Sequence, residues 1–202
     1  MRTILFLLVQ ILLANAVIEA REYAPRVLSP HNADAYSMKT FAQYTRWRDL
    51  KPEAKMLEIY KYLADKRTGL YPMGAGAFEG KDVLYEFRFI RDAVKMINVY
   101  AMGYCDELGP TMAGVLKGVG LGESRVTDLP GDAHVTAEVF FDNKWHYADL
   151  DLRLIFLRPD GTLGSMDDSK KDAACWTGPK SSWWLPCDNP DSVRKMYGRM
   201  SP

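Results

Sequence analysis

The sequence predicts an α+β fold, with helices in the first half of the chain and an antiparallel sheet in the second. Three observations carry this. Apolar residues recur at steps of three and four between residues 52 and 119, the period of a helix with one buried face. Beyond Gly122 the period drops to two. Asp142-Asn143 then separates two alternating runs, which is a hairpin signal.

The elements follow in order. Residues 1–20 read as an export signal: Arg2 supplies the positive start, residues 4–13 an apolar run, and Ala14-Asn15-Ala16 a small-x-small cleavage site, with a second site after Ala20. The run is far shorter than the roughly 20 residues that span a bilayer. The mature chain is therefore expected to be secreted or periplasmic, with no integral membrane span. Lys plus Arg equals Asp plus Glu at 26 each, so no overall field attracts nucleic acid or an anionic membrane, and neither is expected as a partner.

Residues 21–50 form a linker or N-terminal arm broken by Pro25 and Pro30, with His31 in a solvated loop. Phe41, Tyr44 and Trp47 make an aromatic run able to dock on the body. Residues 51–165 are the core domain. Pro52 opens a helix with Met56, Ile59, Tyr60 and Leu63 on one face, ending near Thr68-Gly69. Pro72 and Gly74-Ala75-Gly76 form a loop without the spacing of a phosphate cradle. A second helix is predicted over 82–100, stopped by Gly103.

A third helix carries Leu108, Met112, Val115, Leu116 and Val119, although Pro110 predicts a kink or a delayed start. Strands are predicted at 133–141 and 144–154, a turn at 158–162 and a polar loop at 166–171. Residues 166–202 are a C-terminal extension in which Trp176, Trp183 and Trp184 pack around the loop between Cys175 and Cys187. Trp145 is assigned to the core and Arg125 to a cap or bridge.

An exported chain favours disulfides, so three cysteines leave one to explain. Cys175 and Cys187, close in sequence, are the natural pair, which makes Cys105 the spare thiol. Read plainly, a spare cysteine is either a small buried hydrophobe or a nucleophile. A loop centred on Asp142-Asn143 places His134 opposite Asp151 and diagonal to Asp149. His134, Trp145, Tyr147, Asp149 and Asp151 then share one face of the hairpin, while His146 and Leu150 take the other.

Cys105 follows Gly103 at the start of a helix, where the helix dipole and a neighbouring imidazolium favour a thiolate. His134 serves as base and acid, and Asp149 or Asp151 as the carboxylate that holds it. The Cys105 backbone N–H, with Asn98 or Tyr100 as second donor, is placed to stabilise an oxyanion. No Cys-x-x-Cys or His-x-x-x-His spacing is present and His146 should face away, so no metal or other cofactor is expected.

Gly103-Tyr104-Cys105-Asp106-Glu107, the apolar helix after it, Gly120-Leu121-Gly122-Glu123-Ser124-Arg125-Val126, His134, and Trp145 four residues ahead of Asp149 together resemble the transglutaminase-like core. The resemblance spans roughly residues 82–156. It implies a papain-like arrangement, with the nucleophile at a helix start packed against an antiparallel sheet, and it implies Cys105 as nucleophile, His134 as base and acid and Asp149 as orienting carboxylate. The chain departs from the family pattern at Thr136, where an aromatic is common, at Pro110, and at Asp149-Leu150-Asp151, where Asp-Pro-Thr is usual.

The resulting expectation is an exported thiol enzyme acting on amide bonds of a protein or peptide through a Cys105 thioester, with hydrolysis and acyl transfer to an amine both open. The alternative is a catalytically silent module that binds peptide or glycan in a surface assembly.

Overall fold

The computed structural model describes residues 31–65, 69–72, 90–128, 134–158 and 160–171. The export leader, most of the second predicted helix, the Gly74-Ala75-Gly76 loop, Cys175, Cys187 and the tail tryptophans lie outside the described residues. Helices and an antiparallel sheet separate along the chain, as an α+β fold requires. In order they are α1 (Met38–Phe41), α2 (Pro52–Ala64), β1 (Tyr71–Pro72), α3 (Ala93–Lys95) running into a π-helical turn (Met96–Tyr100), β2 (Met102–Gly103), α4 (Cys105–Gly118), β3 (Glu123–Asp128), β4 (Val135–Phe141), β5 (Lys144–Ala148) and α5 (Met166–Lys171). Among the described residues no helix is long and apolar enough to cross a membrane.

The segment ahead of α2 is docked. Ser37 and Thr40 cap α1 reciprocally, and Phe41 and Trp47 are fully buried. The Trp47 indole N–H donates to the Phe41 carbonyl at 3.0 Å, and its ring meets Tyr62 of α2 edge-on with centroids 5.3 Å apart. Burying two such rings contributes about 3 kcal/mol each.

Helix α2 buries Met56, Ile59, Tyr60 and Leu63 as the spacing predicts, but it stops at Ala64 rather than near Gly69. Asp65 is extended. The chain then folds back, with Leu70 N–H on the Leu63 carbonyl at 2.6 Å. A Cβ on Gly69 would sit 2.1 Å from that carbonyl oxygen, so only glycine allows the approach.

The segment before Cys105 also ends differently. The π-turn closes with the Ala101 N–H on the Met96 carbonyl, Ala101 itself being left-handed at φ 54°. Gly103 is not the stop: it pairs in parallel with Pro72.

Helix α4 begins at Cys105 in spite of Pro110. Glu107 Oε2 accepts the Tyr104 N–H at 3.0 Å, fixing the first turn. Pro110 is preceded by Gly109, which has no Cβ to clash with the proline ring. The same glycine lets α4 lie against β4, since a Cβ there would be 3.1 Å from the Val135 carbonyl oxygen.

The sheet runs β3-β4-β5, antiparallel throughout. Asp142 and Asn143 both take positive φ, 49° and 59°, the tight turn whose twist suits a hairpin. The register is the expected one, with Phe141 opposite Lys144 and Ala137 opposite Ala148. Strand β3 is an addition: its sequence, Glu-Ser-Arg-Val-Thr-Asp, is a mostly polar edge without clear alternation.

Two further expectations fail. The strand predicted to reach residue 154 ends at Ala148, because Asp149 and Leu154 exchange backbone hydrogen bonds around a tight reversal with Arg153 at φ 54°. Residues 166–171 are a helix rather than a loop. Ser165 and Asp168 cap each other, and Met166 is buried. The core lies between α2, α4 and the sheet, with Met56, Ile59, Met112, Val115, Leu116, Ala137 and Val139 at its centre.

Candidate active site

Three structural devices bring the site together. The start of α4 presents Cys105, the residue just ahead of β4 is His134, and the reversal after β5 presents Asp149 and Asp151. His134 Nε2 lies 2.6 Å from Asp149 Oδ2. The His134 ring also hydrogen-bonds the Cys105 side chain, and its Nδ1 lies 3.7 Å from Asp151 Oδ2. The Cys105 sulfur, a His134 ring nitrogen and an Asp151 oxygen all fall within 4.8 Å of one another. Cys105 is a half-buried free thiol, whereas His134 and Asp149 are buried.

Asp149 is held from every side. The Tyr147 hydroxyl donates to Oδ2 at 3.0 Å and the Leu152 N–H to Oδ1 at 2.9 Å. The Tyr60 hydroxyl of α2 donates to its backbone carbonyl at 3.0 Å. These contacts separate the two aspartates, since Asp149 is the one bonded to the ring. Tyr147 carries a sequence signal, two residues ahead of Asp149 in an alternating run. Tyr60 carries none, because its helix face marks only the core.

The charges follow from this geometry. Burial pushes the His134 imidazole down, but the Asp149 charge and hydrogen bond, joined by the bond to Cys105, outweigh it and raise the ring to about 10. The ring is therefore an imidazolium at neutral pH. Burial, reinforced by the Asp149 charge, pushes the Asp151 carboxyl up to about 7 against the pull of His134. Asp106 and Glu107 in the first turn of α4 add to that rise.

Other candidates fall away from the site. Asn98, one proposed oxyanion donor, spends its amide on the Ala35 carbonyl at 2.7 Å and the Val94 carbonyl at 2.9 Å. His146 turns away, stacking on Phe141 at 3.8 Å and meeting the Leu163 and Phe141 carbonyls. Arg125 bridges, binding Glu138 at 2.6 Å and covering the Trp145 ring at 4.0 Å. Trp145 is only partly buried, so it is a flank of the sheet rather than the core assigned to it.

Such an arrangement holds a thiol at a helix start beside a cation whose far nitrogen is fixed by a carboxylate. It suits nucleophilic attack by sulfur followed by proton delivery from the ring. Comparison with family models, with characterised proteins and with solved structures found no match to this chain.

Proposed function

We propose that this chain is an exported thiol enzyme of the transglutaminase-like, papain-like class, acting on amide bonds in proteins or peptides. Cys105 as thiolate attacks the amide carbonyl carbon, and the helix-start N–H groups bind the oxyanion that forms. His134 gives its proton to the leaving amine, and the carbonyl remains as a thioester on Cys105. Water then yields the acid and an amine yields a new amide, with His134 taking back the proton in either case. Asp149 keeps the ring oriented and stabilises its cationic form. The observation that carries the reading is the hydrogen-bonded chain Cys105–His134–Asp149, assembled from a helix start and a hairpin. The ordered motifs of the sequence and the packing of α4 on an antiparallel sheet support it as well.

The test is alkylation by iodoacetamide at mildly acidic pH, read by mass spectrometry at the Cys105 peptide. Fast labelling that disappears in His134→Ala is expected. Equal slow rates in both proteins would remove the activated thiol and the proposal with it.

A further inference from the structure

The hydrogen-bonded chain leaves one group at the site without a task. Asp151 points an oxygen at the His134 nitrogen that Asp149 does not occupy, 3.7 Å away, and the Cys105 sulfur completes a triangle with no edge above 4.8 Å. A tetrahedral zinc ion with bonds of about 2.0 Å to nitrogen and oxygen and about 2.3 Å to sulfur separates its ligand atoms by roughly 3.3–3.6 Å. The His134–Asp151 edge is already within a few tenths of an ångström of that range.

We propose that Cys105 Sγ, His134 Nδ1 and an Asp151 carboxylate oxygen form a three-ligand site for a zinc-class divalent metal ion, with Asp149 as the support of the ligating histidine. Sulfur and imidazole together select zinc, cobalt or copper over calcium and magnesium, which prefer oxygen. A ligating histidine characteristically gives its other N–H to a carboxylate, which fixes the ring and raises its basicity. Here that support is complete, because Asp149 is itself held by Tyr147 and the Leu152 N–H.

Cys105 and Asp151 are each partly open to solvent, so water can take the fourth position. Binding converts the Cys105 thiol to a thiolate and uses the Nδ1 lone pair, and the displaced protons go to solvent. The metal-bound sulfur is no longer free to be alkylated. No ligand-spacing motif marks this set, since its members come from a helix start, the lead-in to β4 and the reversal after β5. The expectation of no metal rested on ligand spacing and on His146 facing away, and neither bears on this set.

The inference uses the side chains of the proposed nucleophile but does not depend on their catalysing anything. Its test is titration of the full mature chain with Co2+, followed by absorption and by competition with Zn2+. One equivalent of Co2+ should give a thiolate-to-metal charge-transfer band and the visible bands of a tetrahedral ion. The charge-transfer band should vanish in Cys105→Ser, and Asp151→Asn should weaken binding at least about 10-fold, the lower end of what losing even a supporting contact costs. Circular dichroism verifies that both variants fold. In the unaltered protein, Zn2+ should suppress alkylation of Cys105 and a chelator should restore it.

Absence of the band, its survival in Cys105→Ser, unchanged affinity in Asp151→Asn or unprotected alkylation would each overturn the site. Alkylation in chelator separates the two readings. Slow labelling there together with a normal cobalt spectrum removes the enzyme and keeps the metal site; fast labelling without the spectrum does the reverse.

Discussion

His134, just ahead of β4, and His146, in β5, are both buried, and burial acts on both imidazoles in the same direction, disfavouring the charged ring. They end on opposite sides of the ordinary value. His146 is lowered, because burial, with the Arg158 cation adding to it, outweighs the raising effect of the Phe141 and Leu163 carbonyls and of the Glu53 charge. His134 is raised to about 10, because a full carboxylate lies 2.6 Å from its ring. One histidine is a buried ring wedged between two backbone carbonyls and the other a held cation beside a thiol. The carboxylate decides between these fates, and the depth of burial does not.

Removing that carboxylate breaks the comparison most severely. Asp149→Asn should destabilise the fold by about 3–5 kcal/mol, the cost of stranding one member of a buried ion pair. His134 should then titrate near or below its ordinary value of about 6.5. Ring-proton NMR titration measures this, and a His134 still near 10 would mean that Asp151, not Asp149, holds the ring.

The pH dependence of stability sharpens the contrast, because the groups have opposite signs. His134 is raised from 6.5 to about 10, so its contribution is full below pH 6.5 and is lost as pH climbs through 10. Asp151, raised from 3.8 to about 7, likewise makes stability fall as pH rises from about 4 to 7. His146 acts the other way: lowered, it makes stability fall as pH drops below 6.5. Asp151→Asn should flatten the decline between pH 4 and 7 and stabilise the protein at pH 7 by up to about 4 kcal/mol. His146→Gln should flatten only the acid side. Urea unfolding across this range measures both slopes, and an unchanged slope in either variant sinks its assignment.

The smallest effect is expected from Tyr147→Phe, which deletes the hydroxyl donor 3.0 Å from Asp149. The loss should be about 1.5 kcal/mol, as for a hydrogen bond to a charged acceptor, with a modest slowing of Cys105 alkylation. A variant as stable and as reactive as the parent would show that His134 and the Leu152 N–H hold the carboxylate without the Tyr147 hydroxyl.

Much of this site was legible in advance because it depends on local rules. Asp142-Asn143 takes the positive φ values that lock a two-residue turn, and the turn dictates the register that carries His134 toward the aspartates. Gly103 before Cys105 and apolar spacing after it marked a helix in this stretch, and only the position of its start was left open by Pro110. The errors fall where a distant partner overrides the local signal. Alternation ran on past Ala148, yet Asp149 turns the chain back onto Leu154. The polar run at 166–171 became a helix because Met166 reaches the core and its N–H finds Glu138 Oε1, 28 residues away in sequence, at 2.8 Å.

By itself the sequence determined the α+β class, the amphipathic face of α2 and the β4–β5 pairing, and it left the start of the helix at Cys105 open because of Pro110. Each of the features it determined rests on a period or a turn only a few residues long. Tertiary structure alone decided which aspartate binds His134, that Asn98 belongs to the arm rather than the site, and that Asp151 meets Cys105 and His134 in one cluster. Those outcomes depend on how α2, α4 and the reversal after β5 pack, and no spacing along the chain encodes a distance between elements it does not join.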